Sequence, residues 1–464
     1  IYVRDISQAL SSLGHSVDVI SGNPYPQLPP NVKLIKLPGL NLFETFNFKD
    51  RLKKFLNNRK SFANTQEFIS TLFGGFPEMR SFGKRVDKFL LDNNEYDIII
   101  DNQSLSYGIL SIQKRFPLIE IIHHPITMDL KHDLEANNKF LYRLSRKRWY
   151  SFLNMQKKVA PNIRKIITPS ANSKEDIVRD FRCNKGNISV IHNGLDTSIF
   201  KPHENIKRDK YRLISTASAD TPLKGLDYTL KAISELKNGG MDINLLVIGK
   251  MKKDGHTARL MKTLGISDNV SFKTNLTKEE ISIEYAKSSI AIVSSLYEGF
   301  GYPVIEAMSC AIPLIAAKTS SIPELVGDYA TLIEPKNIDS LAACVKYIIG
   351  HYDGYDLIAK EGRKHVIRHF NWSKISKEYE DIIIENIRDF IVLHFVCPRV
   401  DTEFWRKVAE TPLPKSLQSK LDTWRHRMPT EIDFDDDTNF ILFKALFLNK
   451  FDSFIYLLTI DVVL

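Results

Sequence analysis

Short apolar runs alternate with helix-periodic stretches along most of this chain, and that rhythm leaves few folds open. Strand-like runs fall at residues 17–20, 32–37, 97–100, 118–122, 165–168 and 188–191. Helical stretches lie between them at 1–13, 105–114 and from Lys174, which Ser173 is expected to cap. A long polar-and-aromatic insert occupies the interval up to about residue 91. After a polar stretch at 201–210 the rhythm resumes, with strands at 213–216, 244–249, 270–272, 290–293 and 313–316. Helices at 226–236, 304–310, 338–349 and 373–387 complete this second series. The runs are continuously apolar rather than alternating, as in strands buried on both faces of a parallel sheet. The expected fold class is therefore α/β, with two successive doubly wound units at 1–200 and 201–388 and a separate extension at 389–464. Ligands of such sheets bind beyond the carboxyl ends of the strands, so the natural site is the cleft between the two units.

Composition supports a large folded chain. Of 464 residues, 43% are hydrophobic and 26% charged, which excludes a wholly disordered or collagen-like chain. Cys183, Cys310, Cys344 and Cys397 form no CxxC pair, so neither a disulfide framework nor a zinc ribbon is expected. A reducing, cytoplasmic setting is expected, without a signal peptide or a spanning helix, and no metal cluster is visible.

The net charge of +9 is concentrated in the first unit. Residues 31–165 hold 24 Lys and Arg against 13 Asp and Glu. Within them, residues 139–158 interleave Arg143, Arg146, Lys147, Arg148, Lys157 and Lys158 with Phe140, Leu141, Trp149, Tyr150 and Phe152. This stretch reads either as a helix packed on its own domain or as an anionic membrane surface contact. Attraction of a phosphorylated substrate or of nucleic acid is a further reading. No nucleic-acid motif accompanies the charge, and no nucleic-acid partner is expected.

The most informative string runs from Ser295 to Ala307, SLYEGFGYPVIEA. A strand ends before it, two glycines make a turn, and Pro303 stands near the first position of a helix, where a missing N–H costs nothing. Glycines let the backbone approach a ligand, and the helix start offers free N–H groups to sugar or phosphate oxygens. Glu298 lies on the turn and Glu306 on the helix, and carboxylates so placed can accept from pairs of sugar hydroxyls. Two glutamates at this spacing alone would be an ordinary strand–turn–helix corner.

The whole string resembles the E-x(7)-E signature of the family-four glycosyltransferases of the GT-B fold. The resemblance extends over about residues 1–388. It includes AMSCAIPLIA at 307–316, SSIPELV at 320–326, LIEP at 332–335, VIHNGLD at 190–196 and the closing segment from Trp372. It implies two Rossmann-like domains facing a cleft and transfer of a hexose from a nucleotide-diphosphate sugar to an acceptor hydroxyl, with the anomeric configuration retained. It also implies roles. Glu306 would hold the ribose hydroxyls, and Glu298 would face the transferred sugar. The N–H groups of Gly299, Phe300 and Gly301 would contact sugar or pyrophosphate oxygens. Lys224, just after Ser218 and a strand end, would bind the phosphates. His123 would contact the donor sugar, with His124 and Asp129 as weaker neighbours; without the resemblance, a strand-end histidine reads as a satisfied structural group. No cofactor is required, and the partners are the nucleotide sugar and an acceptor sugar, lipid or glycan.

Three departures qualify this. The family's initial strand and glycine-rich loop are not seen before Ile1, so an N-terminally truncated first unit is expected, its sheet lacking a central strand and its activity left open. An arginine common five or six residues before the phosphate lysine is replaced by Ser218-Ala219, leaving a second cation to be found elsewhere. The tail at about 390–460, with Trp405 and Trp424, resembles the C-terminal part of flavin-dependent tryptophan halogenases but carries no dinucleotide-binding glycine loop, so no halogenation is expected. The alternatives are a nucleotide-binding remnant or fusion and, more remotely, a halogenase fragment.

Overall fold

The computed structural model describes residues 2–42, 45, 47–58, 61–391 and 454–459. Two parallel sheets organise it. The first contains β1 (Ser16–Ser21), β2 (Lys33–Lys36), β3 (Ile98–Asn102), β4 (Leu118–Ile121), β5 (Ile166–Thr168) and β6 (Ile188–Val190). The second contains β7 (Asp209–Thr216), β8 (Asn244–Ile248), β9 (Val270–Lys273), β10 (Ser288–Val293), β11 (Leu314–Ala317) and β12 (Thr331–Ile333).

The central strands of the second sheet send alternate side chains to opposite faces, and both faces are buried there. Leu213, Leu245, Val247, Ile290 and Ile292 enter one apolar cluster. Ile214, Leu246, Ile248, Ala291 and Val293 enter the other. That is why these strands read as unbroken apolar runs. The order β12-β11-β10-β7-β8-β9 reverses direction between β10 and β7. Such a reversal opens a crevice beyond the strand ends, because successive crossovers leave to opposite sides. The loops carrying Lys224 and Glu298 leave these two strands.

In the first unit, α1 (Tyr2–Ser12) precedes β1, and the insert folds as α2 (Phe48–Asn57), α3 (Phe62–Leu72) and α4 (Glu78–Asp92). Then come α5 (Tyr107–Ile112), α6 (Thr127–Ala136), α7 (Phe140–Trp149), α8 (Leu153–Val159) and α9 (Ala171–Phe181). The cap of α9 is Ser170, whose side chain accepts from the Ser173 N–H, rather than the expected Ser173. The basic stretch divides in two. Phe140 and Leu141 are each 77% exposed on α7, whereas Tyr150, Phe152, Leu153 and Met155 are buried core.

The sheet is complete where a gap was expected. A thirteenth strand, β13 (Phe454–Thr459), lies parallel between β1 and β3, from Ser16 opposite Phe454 to Asn102 opposite Thr459. A segment remote in sequence thus occupies the central position. The rest of the halogenase-like stretch, with Trp405 and Trp424, lies outside the described residues.

The second unit's helices are α10 (Leu226–Asn238), α11 (His256–Thr263), α12 (Lys278–Lys287), α13 (Tyr302–Ser309), α14 (Ile322–Val326), α15 (Ile338–Gly350) and α16 (Tyr352–His369). The helix α17 (Trp372–Ile391) crosses back. Its Ile375, Tyr379, Ile383 and Ile387 join Val3, Ile6 and Leu10 of α1 in the first unit's core. By packing it therefore belongs to the first sheet, not to the unit its sequence position suggests. The two crossings lie side by side: the Leu195 N–H donates to the Phe370 carbonyl at 2.6 Å. Among the described residues, no helix is long and apolar enough to cross a membrane.

Candidate active site

The β7 and β10 ends are tied together before any ligand is considered. The Leu296 N–H donates to the Leu223 carbonyl at 2.8 Å. Ser294 Oγ donates to the Gly225 carbonyl at 3.0 Å and lies 2.8 Å from Thr229 Oγ1. This fixes the Lys224 loop against the glutamate turn. Lys224 Nζ lies 2.8 Å from Glu298 Oε1, and Ser295 Oγ donates to the same oxygen at 2.7 Å. Glu298 is only 8% exposed, so its charge is balanced where water is scarce. Ser320 and Ser321 hold the turn from behind, at the Glu298 N–H and carbonyl respectively.

The turn meets the first unit directly. A Cβ added at Gly299 would stand 2.8 Å from the His123 carbonyl oxygen and 3.0 Å from His124 Cβ, so only glycine fits. The Gly299 carbonyl accepts from Ser170 Oγ at 2.7 Å and Ser173 Oγ at 3.0 Å, both from the start of α9. Gly301 has φ 108°, a left-handed value that launches α13. Phe300 is buried in the second unit's core, so only its backbone can serve a ligand.

Glu306 sits on α13 with Oε2 3.5 Å from the Tyr285 hydroxyl. Burial raises its carboxyl to about 7, against the opposing pull of Lys278. That lysine pairs with Asp5 of α1 at 2.8 Å, a further bond between the units.

The two histidines differ. His123 Nε2 lies 2.9 Å from Asn102 Oδ1, and a carbonyl oxygen accepts, which puts the ring proton on Nε2. The ring stands edge-on to Tyr2, with centroids 4.5 Å apart. Burial, and then His124, lower its pKa to about 3, so it is neutral. His124 Nε2 lies 2.8 Å from Asp129 Oδ2. Burial opposes its charge, but Asp129 outweighs it and the pKa rises, and the charges of Lys224 and Glu298 both act on this ring. The geometry therefore brings together Lys224, Glu298, Gly299, His124 and Asp129. His123 contributes its carbonyl to this wall while its ring is engaged elsewhere. Ser218 is exposed on the loop after β7 and bonds to none of these groups. Sequence reasoning did not single out Ser295, Asn102, Gln103, Ser170 or Tyr285, whose roles depend on contacts between distant segments. Among the described residues no His, Cys, Asp and Glu group could hold a metal ion.

The reversal point thus sets a lysine against a buried glutamate on a glycine turn, and the comparisons show the family to which the chain belongs. Residues 1–199 match the family described as Glycosyltransferase Family 4, and residues 198–365 match Glycosyl transferases group 1. Residues 358–455 match Tryptophan halogenase. The chain is 36% identical over 385 residues to the MMP alpha-(1->4)-mannosyltransferase of Mycolicibacterium hassiacum, covering 82% of this chain and 92% of that protein. Sucrose-phosphate synthase from Thermosynechococcus elongatus superposes with a TM-score of 0.64 at 19% identity, over 84% of this chain and 93% of that one. Anabaena HepE in complex with UDP and glucose gives 0.56 at 15% identity, over 80% and 99%. The chain belongs to the group 1 glycosyltransferases and has the GT-B fold. It is thereby an enzyme of glycosyl transfer.

Proposed function

We propose that the protein transfers a hexose, mannose in the first instance, from a nucleoside-diphosphate sugar to an acceptor hydroxyl of a glycan or glycoconjugate, with retention. The mannosyltransferase relative supports the sugar. The observation that carries the reading is the 2.8 Å pair of Lys224 and Glu298 on the turn that closes against His123 and His124. In this reading Lys224 leaves Glu298 for the diphosphate and neutralises charge as the leaving group departs. The N–H groups of Gly299 to Gly301 and the positive end of α13 add to this. Glu298, released, accepts from hydroxyls of the transferred sugar, while Glu306 holds the ribose hydroxyls. His124, whose charged form Asp129 favours, faces the transferred sugar from the first unit. His123 gives shape to the donor-sugar wall through its carbonyl. No step in this scheme uses a metal or cofactor.

A screen of nucleoside diphosphates and their sugars for thermal stabilisation tests this. One donor class, GDP-mannose or UDP-hexose, raises Tm in the wild type, and Glu306→Ala abolishes the shift. Stabilisation by none of them would refute the reading. Nucleotide stabilisation without transfer would favour the catalytically impaired reading. The exposed Phe140 and Leu141 beside Lys147 and Arg148 support contact with an anionic membrane surface, which sedimentation with anionic against neutral vesicles tests.

A further inference from the structure

The two peptide groups flanking the one that joins His123 to His124 are held by one side chain. Gln103 Oε1 accepts from the His123 N–H at 2.9 Å, and Gln103 Nε2 donates to the His124 carbonyl at 2.7 Å. With a backbone donor on one side and a backbone acceptor on the other, the amide has one workable orientation. It extends the β3–β4 pairing past the end of β4 (Leu118–Ile121), where strand hydrogen bonds run out. The carbonyl of the peptide between them, that of His123, faces Gly299 and accepts from Ser173 Oγ at 3.1 Å.

Gln103 is held at some cost. It has φ 62° and Leu105 has φ 46°, both in the left-handed region that non-glycine residues avoid. Asp101 makes this turn possible. Its Oδ2 accepts from the Ser104 N–H at 2.9 Å, Ser104 Oγ at 2.8 Å and the Leu105 N–H at 3.2 Å. Asp101 and Glu120, its neighbour on β4, are both wholly buried. Burial raises both carboxyls, Glu120 far more, because Asp101 adds to it. Burial and Asp101 thus favour the neutral form of Glu120, beside an Asp101 that accepts from the turn. Two left-handed residues backed by buried carboxyls are more than a solvent-facing loop needs, and such strain persists where surrounding structure enforces it for use.

We infer that Gln103 is a positioning residue for glycosyl transfer: it fixes the His123–His124 peptide as the rigid wall against which the Gly299 turn closes on the donor sugar. Asp101 and Glu120 act through it by setting its turn. The inference rests on the transferase reading for its rate effect, but not for its structural effect.

Gln103→Leu removes both bonds at similar volume, and Gln103→Glu keeps the acceptor for the His123 N–H while placing a carboxylate oxygen against the His124 carbonyl. Three readouts decide the matter in the full chain: nucleoside diphosphate affinity, kcat for transfer, and the His123 ring Nε2–H resonance of ¹⁵N-labelled protein. Positioning predicts that Gln103→Leu lowers kcat at least about tenfold, as sub-ångström misplacement of reacting groups does. Nucleotide affinity, set in the other unit, stays within about twofold, so the loss falls on kcat rather than on binding. The His123 resonance shifts, because the ring moves with its peptide. Gln103→Glu falls between wild type and Gln103→Leu, and it serves alone if the leucine variant does not fold. An unshifted resonance, or kcat within about twofold of wild type, overturns the inference. A joint loss of nucleotide affinity and Tm in both variants also overturns it, by showing a merely structural role. If wild type transfers no sugar, the transferase reading fails while the resonance still decides on Gln103.

Discussion

The two sheets solve the same packing problem with different resources. The second draws all six strands, β7 to β12, from one continuous stretch, and its reversal point presents Lys224 and Glu298 at adjacent strand ends. The first brings β13 from the far end of the chain into its centre and α17 back from beyond the second unit onto its face. In the proposed reading the second unit carries the charged donor chemistry on a self-contained frame. The first supplies a wall made of backbone groups at His123 and α9, and its rigidity depends on segments distant in sequence. Nucleotide binding and sugar transfer should therefore be separable by substitution.

The largest expected separation is at Glu298. Glu298→Gln keeps the shape but loses the charge partner of Lys224 and the sugar contact, so kcat falls about 10²-fold, the scale of losing one preorganised electrostatic contact. Steady-state kinetics would show this with nucleotide affinity little changed; loss of nucleotide binding instead would erase the proposed division of labour. Next comes β13. Leu457 pairs with Val19 and Ile100 in the sheet centre, where proline cannot donate to a ladder. Leu457→Pro should destabilise the first unit by about 3 kcal/mol, while the second still binds nucleotide. Calorimetry would then show a split transition; an unchanged thermogram would remove β13 from the sheet.

Gly299→Ala tests the contact between the units. Its Cβ would meet the His123 carbonyl at 2.8 Å, so the turn must back away, and transfer should fall about tenfold, as for displaced reacting groups. The smallest effect is a pH dependence. Glu306 titrates near 7 in the folded protein, above its ordinary 4.5, because burial disfavours its charge. Its ionised form is the better acceptor for ribose hydroxyls, so nucleotide affinity should fall as pH drops below about 7, by at most about tenfold per unit. For folding the sign is opposite: the unliganded protein gains stability from this group as pH falls from about 7 towards 4.5. Glu306→Gln should flatten both trends in a pH series of calorimetric titrations.

Much of this was legible in the sequence. The strands of both sheets from β1 to β11 fall within a few residues of their apolar runs, because burial on both faces leaves an uninterrupted signal. The glycine turn with Pro303 and the two glutamates announced itself for the same local reason. Contacts between distant segments were not legible. No pattern near Phe454 says that it pairs with Ser16, and nothing around Gln103 says that its amide will meet His123. The 139–158 stretch read as a helix or a membrane contact, but its division into α7 and α8 was hidden by the basic residues, with Phe140 and Leu141 facing outward. Ranking His123 above His124 followed the family resemblance; the structure aims the His123 ring at Asn102 and leaves His124 in the field of Lys224.

The central claim is that Lys224 and the turn before Pro303 grip one diphosphate. Titration calorimetry of the favoured nucleoside diphosphate with wild type and Lys224→Ala measures it directly. The account predicts binding to the variant at least about tenfold weaker, the scale of one charge-assisted phosphate contact. Equal dissociation constants for the two proteins would contradict it.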